Sequence, residues 1–191
     1  MEILNFEKFV LENRQAGKIM LYHGTTANFD KFDPSHINTG WGEQAYGYGF
    51  YFTDSLKTAE AYSRGGRIVK VLVPGKKYLD YKGIPKAEAF SIARKFFKYY
   101  TEENEYGKEA YPDKETKQMC WNEECKYIAD SENGGDVYGT IASLLGDDKE
   151  TSEFLNKIGY VGIKFECENG STGEKFNNYL IFNADDIEIV K

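Results

Sequence analysis

The sequence predicts a single α+β domain. Strand and helix patterns both occur, but they do not alternate as regular βαβ units. The strand signals also gather toward the two ends of the chain, with a Lys-, Glu- and Tyr-rich stretch between them. A chain of 191 residues with 41% hydrophobic and 29% charged residues suits one globular domain over 1–191.

The elements follow in order. Phe6, Phe9, Val10 and Asn13 recur at helical spacing before Gly17, which predicts an amphipathic helix over 5–16. KIMLYHGTT, from residue 18, reads as a strand with Ile19, Leu21 and His23 on one face and Met20 and Tyr22 on the other. A loop rich in Gly, Asp, Asn and Ser runs from Asn28 to Gly49 and feeds a short strand, GFYFT, at 49–53. Asp54 or Ser55 can cap a helix over 55–63. RIVKVLVP at 67–74 is the clearest strand, stopped by Pro74 and Gly75.

From about 80 to 135 the pattern implies a mostly helical insertion, with one helix at 86–100 carrying Phe90, Ala93, Phe97 and Tyr100 on one face. Asp136 is the expected cap of a helix bearing Val137, Ile141, Leu144 and Leu145 and closed by Gly146. Asp147 with Glu150 reads as a capping box for a helix through Ile158, closed by Gly159. Strands at 160–166, 178–182 and 187–190 finish the chain.

The net charge of −7 argues against a general nucleic-acid binder, leaving only a local basic patch at Arg64, Arg67 and Lys70. No apolar run approaches the 18 residues of a membrane span, and Glu2 and Glu7 do not fit a secretory signal, so a cytoplasmic protein is expected. Cys120, Cys125 and Cys167 are an odd number, and the first two lack zinc-site spacing or a nearby histidine. Free thiols and no metal are the expectation.

Familiar short motifs do not decide the chemistry. The Gly47-x-Gly49 pair feeds a strand rather than a helix N-terminus, and there is no phosphate loop, zinc-protease helix or nucleophile elbow. The informative pattern is distributed: LYHGT at 21–25, AYGYGFYFT at 45–53, KTAEAYS at 57–63, IGYVGIKF at 158–165 and NNYLIF at 177–182.

In this order, with eleven residues from Tyr51 to Tyr62, the set resembles the diphtheria-toxin-like and poly(ADP-ribose)-polymerase-like class of ADP-ribosyltransferases, which carries a His-Tyr-Glu triad. The resemblance covers roughly 18–74 and 136–191. It implies a split β-sandwich of two small packed sheets with flanking helices, and NAD⁺ as co-substrate without a metal. It also implies roles for individual residues. His23 would hydrogen-bond the NAD⁺ ribose, and the Gly24 backbone would grip the nicotinamide carboxamide. Thr25 would reach the same ribose, while Tyr51 and Tyr62 would sandwich the nicotinamide ring. The loop from Asn28 to Gly47 would cover the donor. Trp41, Tyr46 and Tyr48 lie in or beside that loop, which accounts for them as well as base stacking does.

Read as residues alone, His23 also fits a buried structural histidine in phase with Ile19 and Leu21, and either tyrosine fits a core aromatic. His36, in a polar loop, reads as a surface residue.

One position departs from the family pattern. Where the class carries Glu, this chain has Asn178, on a strand face with Leu180 and Phe182. An amide can still hydrogen-bond a hydroxyl but brings no negative charge to an oxocarbenium-like ribose, a loss of about 3–4 kcal/mol for one such stabiliser. Glu166, Glu168 and Glu174 flank the position as candidate substitutes. Phe176 stands where an aligning Gln or Glu often lies, so a specificity for arginine or DNA is not supported.

The resulting expectation is a mono-ADP-ribosyltransferase of the bacterial, prophage or toxin kind. Its acceptor would be a macromolecule, protein rather than nucleic acid. The alternatives are a catalytically weakened NAD⁺/ADP-ribose-binding module, an NAD⁺ glycohydrolase, or an engineered inactivation at Asn178.

Overall fold

The structure, a computed structural model, describes residues 16–37, 45–170 and 172–190, together with Lys8 and Glu12. The helix expected over 5–16 therefore lies largely outside the described residues, as does Trp41. Lys8 and Glu12 are four apart and ion-paired at 3.8 Å, as neighbours on one helix face can be.

Among the described residues the strands are β1 (Lys18–Thr25), β2 (Phe50–Thr53), β3 (Arg67–Pro74), β4 (Tyr78–Asp80), β5 (Gly162–Glu168), β6 (Lys175–Ile181) and β7 (Glu188–Ile189). They form one sheet in the order β4-β5-β6-β2-β1-β3-β7, with β4 parallel to β5 and every other pair antiparallel. The ladders are continuous within each half: β1 pairs with β3 along eight residues, and β5 with β6 along seven. Between the halves, β1 and β2 share one residue pair, Tyr22 opposite Thr53. The expected division into two sheets thus takes the form of a seam in a single α+β sheet.

Two hydrophobic cores flank this sheet. On one face Leu79, Ile163, Phe165 and Leu180 pack against helical residues that include Ile92, Phe96, Ile128, Ile141 and Leu155. On the other, Leu21, Phe50, Phe52, Val69, Val71, Tyr179 and Ile181 are covered by Phe32 from the loop after β1. The alternation expected in β1 holds, since Leu21 is buried in this second core and Ile19 packs against it.

Helix α1 (Leu56–Ser63) starts at Ser55, whose Oγ accepts from the Thr58 amide, and lies on β1 and β3. Its closeness depends on Gly24: a Cβ there would sit 2.0 Å from the Ala59 carbonyl oxygen.

The helical segment comprises α2 (Lys86–Glu102), α3 (Glu105–Ala110), α4 (Lys114–Cys120), a π-helical turn at Trp121–Cys125, and α5 (Lys126–Ala129). The last two helices are α6 (Gly134–Leu145) and α7 (Asp148–Lys157). Gly146 closes α6 at a φ of 68°, and Asp147 caps α7 by accepting from the Glu150 amide.

Three expectations change. The segment from about Tyr78, poor in strand patterns by sequence, opens with a strand, because β4 pairs with β5 and buries Leu79. The cap of α6 is Asn133, not Asp136: the Asn133 side chain accepts from the Asp136 amide, and the helix begins at Gly134, pressed against the Leu79 and Asp80 backbone. Finally, β6 begins at Lys175, three residues before its expected start.

Candidate active site

His23 lies on the face of β1 that meets the second core. Its ring is edge-on to Phe32 at 5.4 Å and tilted against Phe52 at 5.6 Å. Nδ1 is 2.9 Å from the backbone oxygen of Tyr51, across the seam. A carbonyl only accepts, so Nδ1 carries the proton and donates. Burial holds the pKa below the ordinary 6.5, against a smaller upward effect of that hydrogen bond. The ring is therefore neutral at pH 7, with a lone pair on Nε2.

Tyr51 follows two residues after Gly49 and projects from β2 to the face opposite His23, half-buried against the helical core. Its hydroxyl donates to the Gly47 carbonyl at 3.0 Å and accepts from the Tyr46 amide at 3.1 Å. Burial pushes the phenol up to about 12, so it remains protonated and able to donate.

Asn178 lies opposite both Thr53 on β2 and Phe165 on β5. Because Tyr51 lies opposite Leu180, Tyr51 and Asn178 are diagonal neighbours on one face, about 7–8 Å apart. The Asn178 amide donates from Nδ2 to Cys167 Sγ at 3.3 Å, which leaves Oδ1 as its acceptor. Desolvation raises the Cys167 thiol, so that sulfur adds no negative charge.

Tyr62, on α1, is 65% exposed, and among the described residues no ring stacks on it. The Thr25 hydroxyl accepts from the Ala27 amide at 3.1 Å. His36 is exposed. The structure thus brings His23 to the Tyr51 backbone, and Tyr51 beside Asn178. It does not bring Tyr62 into ring contact with Tyr51.

Two of the substitute carboxylates are misplaced. Glu166 lies opposite Asn177, hence on the other face from Asn178. It is ion-paired with Lys82 at 2.5 Å and Lys175 at 3.1 Å, and these hydrogen bonds hold it below the usual carboxylate range. Glu168, opposite Lys175, shares that face. Glu174 is exposed and precedes β6.

Two contacts at the site have no local signal in the sequence. Cys167 reaches Asn178 only through the β5–β6 register. Tyr46 stacks on Phe165 at 3.8 Å and 21°, which places a second aromatic ring beside the Asn178 position. Two open surface clefts lie elsewhere, one beside Phe97 and Lys117 and the other beside Tyr127 and Asp136, and neither is lined by a candidate residue.

A family model described as ADP-ribosyltransferase in polyvalent proteins matches residues 14–188. The chain belongs to this ADP-ribosyltransferase family. The match runs through the helical segment at 80–135, so the part of the chain that the motif resemblance left out lies within the family domain. None of the curated proteins and none of the solved structures gives a match. Among the described residues, this ADP-ribosyltransferase has no group of three His, Cys, Asp or Glu side chains that could hold a metal. None of its helices among the described residues is long and apolar enough to cross a membrane. All three cysteines are free thiols, and Cys120 and Cys125 lie buried with their sulfurs 3.9 Å apart.

Proposed function

We propose that this ADP-ribosyltransferase draws ADP-ribose from NAD⁺ and attaches a single unit to a macromolecular acceptor, protein rather than nucleic acid. The observation that carries the reading is the His23–Tyr51 hydrogen bond. It joins two of the residues implied by the motifs and fixes a neutral imidazole whose Nε2 can only accept. A sugar hydroxyl, which donates, is the partner such an atom suits.

In this reading the nicotinamide cation lies against the faces of Tyr51 and Tyr62, each contact contributing about 0.5–2 kcal/mol when shielded from water. The Gly24 backbone holds the carboxamide, and Thr25 reaches the ribose beside His23. The ribose C1′–nitrogen bond breaks, the electron pair leaves with nicotinamide, and an acceptor nucleophile closes on C1′ and gives up its proton. Oδ1 of Asn178, on the Tyr51 face, accepts from a hydroxyl of a donor that straddles the seam from His23 on the other face, orienting the sugar without adding charge. Single-unit transfer follows from the same residue, because chain-elongating members of the class use the carboxylate missing here to activate the growing polymer.

A second reading has specific support. An amide at position 178, a neutral thiol beside it, and Glu166 and Glu168 on the opposite face support a site that holds NAD⁺ or ADP-ribose without cleaving the donor. Incubating the protein with adenylate-labelled NAD⁺ and cell extract separates the outcomes. Label in protein supports the transferase. Label only in free ADP-ribose would mean a glycohydrolase, and retention of intact NAD⁺ without turnover would mean a binding module.

A further inference from the structure

The polar groups around the approach to β2 form a connected set with the helical layer. Tyr48 is gripped at both ends of its backbone: its amide donates to the Tyr138 hydroxyl at 3.1 Å, and its carbonyl accepts from Ser152 Oγ at 2.7 Å. Tyr138 belongs to α6 and Ser152 to α7, and both are buried. Their oxygens are 3.0 Å apart, and the Tyr138 hydroxyl also reaches the Asp148 carbonyl at 2.9 Å. Burial pushes the Tyr138 phenol up to about 12, so it keeps its proton. Its ring fills the space that a side chain at Gly47 would need, with atoms as close as 2.4 Å to an added Cβ.

The same short strap, residues 46–48, holds Tyr51. The Tyr51 hydroxyl is tied to the Gly47 carbonyl and the Tyr46 amide, and the Tyr46 ring stacks on Phe165 across from Asn178. Two buried hydroxyls on α6 and α7 are thereby linked through one backbone segment to the Tyr51 ring and to the wall beside Asn178.

We infer that Tyr138 and Ser152 are positioning residues for the nicotinamide site: they fix the strap, and the strap sets where the Tyr51 ring stands. This rests on Tyr51 being a nicotinamide platform. A platform touches donor in the ground state and transition state alike, so loosening it raises KM for NAD⁺ more than it lowers kcat.

Tyr138→Phe tests this, because it keeps the ring against Gly47 and Phe182 and removes only the hydroxyl. Without ligand, amide exchange at Tyr48 should accelerate about tenfold, the effect of losing one hydrogen bond, while core amides of α6 and α7 such as Ile141 and Leu155 keep their protection. With NAD⁺, KM should rise roughly fivefold to tenfold while kcat stays within about twofold. Ser152→Ala should raise KM in the same direction. Unchanged exchange at Tyr48, or acceleration spread evenly through α6 and α7, would overturn the clamp whatever the protein does with NAD⁺. Accelerated exchange with an unchanged KM would overturn its role in the site and leave the NAD⁺ reading standing. A wild type that ignores NAD⁺ would refute that reading and with it the site role, the exchange data still deciding the clamp.

Discussion

Replacing Asn178 with glutamate isolates the missing charge. The position is half-buried, opposite Thr53 and Phe165, and its present amide donates to a neutral thiol, so a carboxylate there would meet no fixed anion from Cys167. A unit charge about 4 Å from a developing cation, at an effective dielectric constant of about 20, is worth about 4 kcal/mol. Only part of this accelerates the reaction, because NAD⁺ already carries positive charge on nicotinamide in the ground state and the carboxylate gains only as that charge moves onto the ribose. Asn178→Glu should therefore raise kcat for NAD⁺ cleavage by roughly 10²-fold and change KM by less than about threefold. Release of nicotinamide, followed over time at saturating NAD⁺, measures the first. Calorimetric titration with a non-cleavable NAD⁺ analogue checks that affinity is kept. A glutamate variant that binds normally yet stays as slow as wild type would refute the reasoning, since the charge would then be present without effect. The result is a gain of activity, so misfolding cannot imitate success.

Three other expectations follow from the same geometry. His23→Ala should lower NAD⁺ affinity and turnover together while His36→Ala changes neither; because the folded pKa of His23 lies below 6.5, the unfolded chain binds its proton first, so stability should fall as pH drops through and below 6.5, with a shallower slope in His23→Ala by urea titration. Tyr62→Ala should weaken NAD⁺ binding by about 1 kcal/mol with no change in thermal midpoint, since the side chain is 65% exposed; equal affinity would remove Tyr62 from the clamp. Gly24→Ala places a Cβ 2.0 Å from the Ala59 carbonyl oxygen and should cost about 1–3 kcal/mol of stability as α1 shifts, read from the denaturant midpoint.

Local chemistry made much of the fold legible in the sequence. The Ser55 and Asp147 caps, the Gly146 stop and the alternation of Ile19, Leu21 and His23 depend on neighbours a few residues away, and the sequence states those neighbours directly. Sequence alone does not choose the α6 cap, because Asn133 and Asp136 are both good caps; tertiary packing of Gly134 on β4 chooses between them. Strand β4 has no signal in the sequence, because three residues carry almost no periodicity and its parallel partner lies more than eighty residues away. At the candidate site, motif order proposes His23, Tyr51 and Asn178 and sets Tyr46 by the loop over the donor, but it gives neither the Cys167–Asn178 contact nor the stacking of Tyr46 on Phe165. Their places depend on the register of β6 between β2 and β5, and Gly162, where a Cβ would sit 1.8 Å from the Leu180 carbonyl oxygen, is one residue that admits this register. No local pattern records that close approach.

The single Tyr22–Thr53 pair has a mechanical consequence. A sheet usually spreads a displacement through rows of bonds, whereas here the two plates meet along a crease with one backbone rivet. The second rivet is a side chain, His23 Nδ1 on the Tyr51 carbonyl. One imidazole therefore fastens the plates through Nδ1 and, as a neutral ring, keeps a lone pair on Nε2. Losing that ring would leave the crease without its side-chain fastening, held by the strand pair.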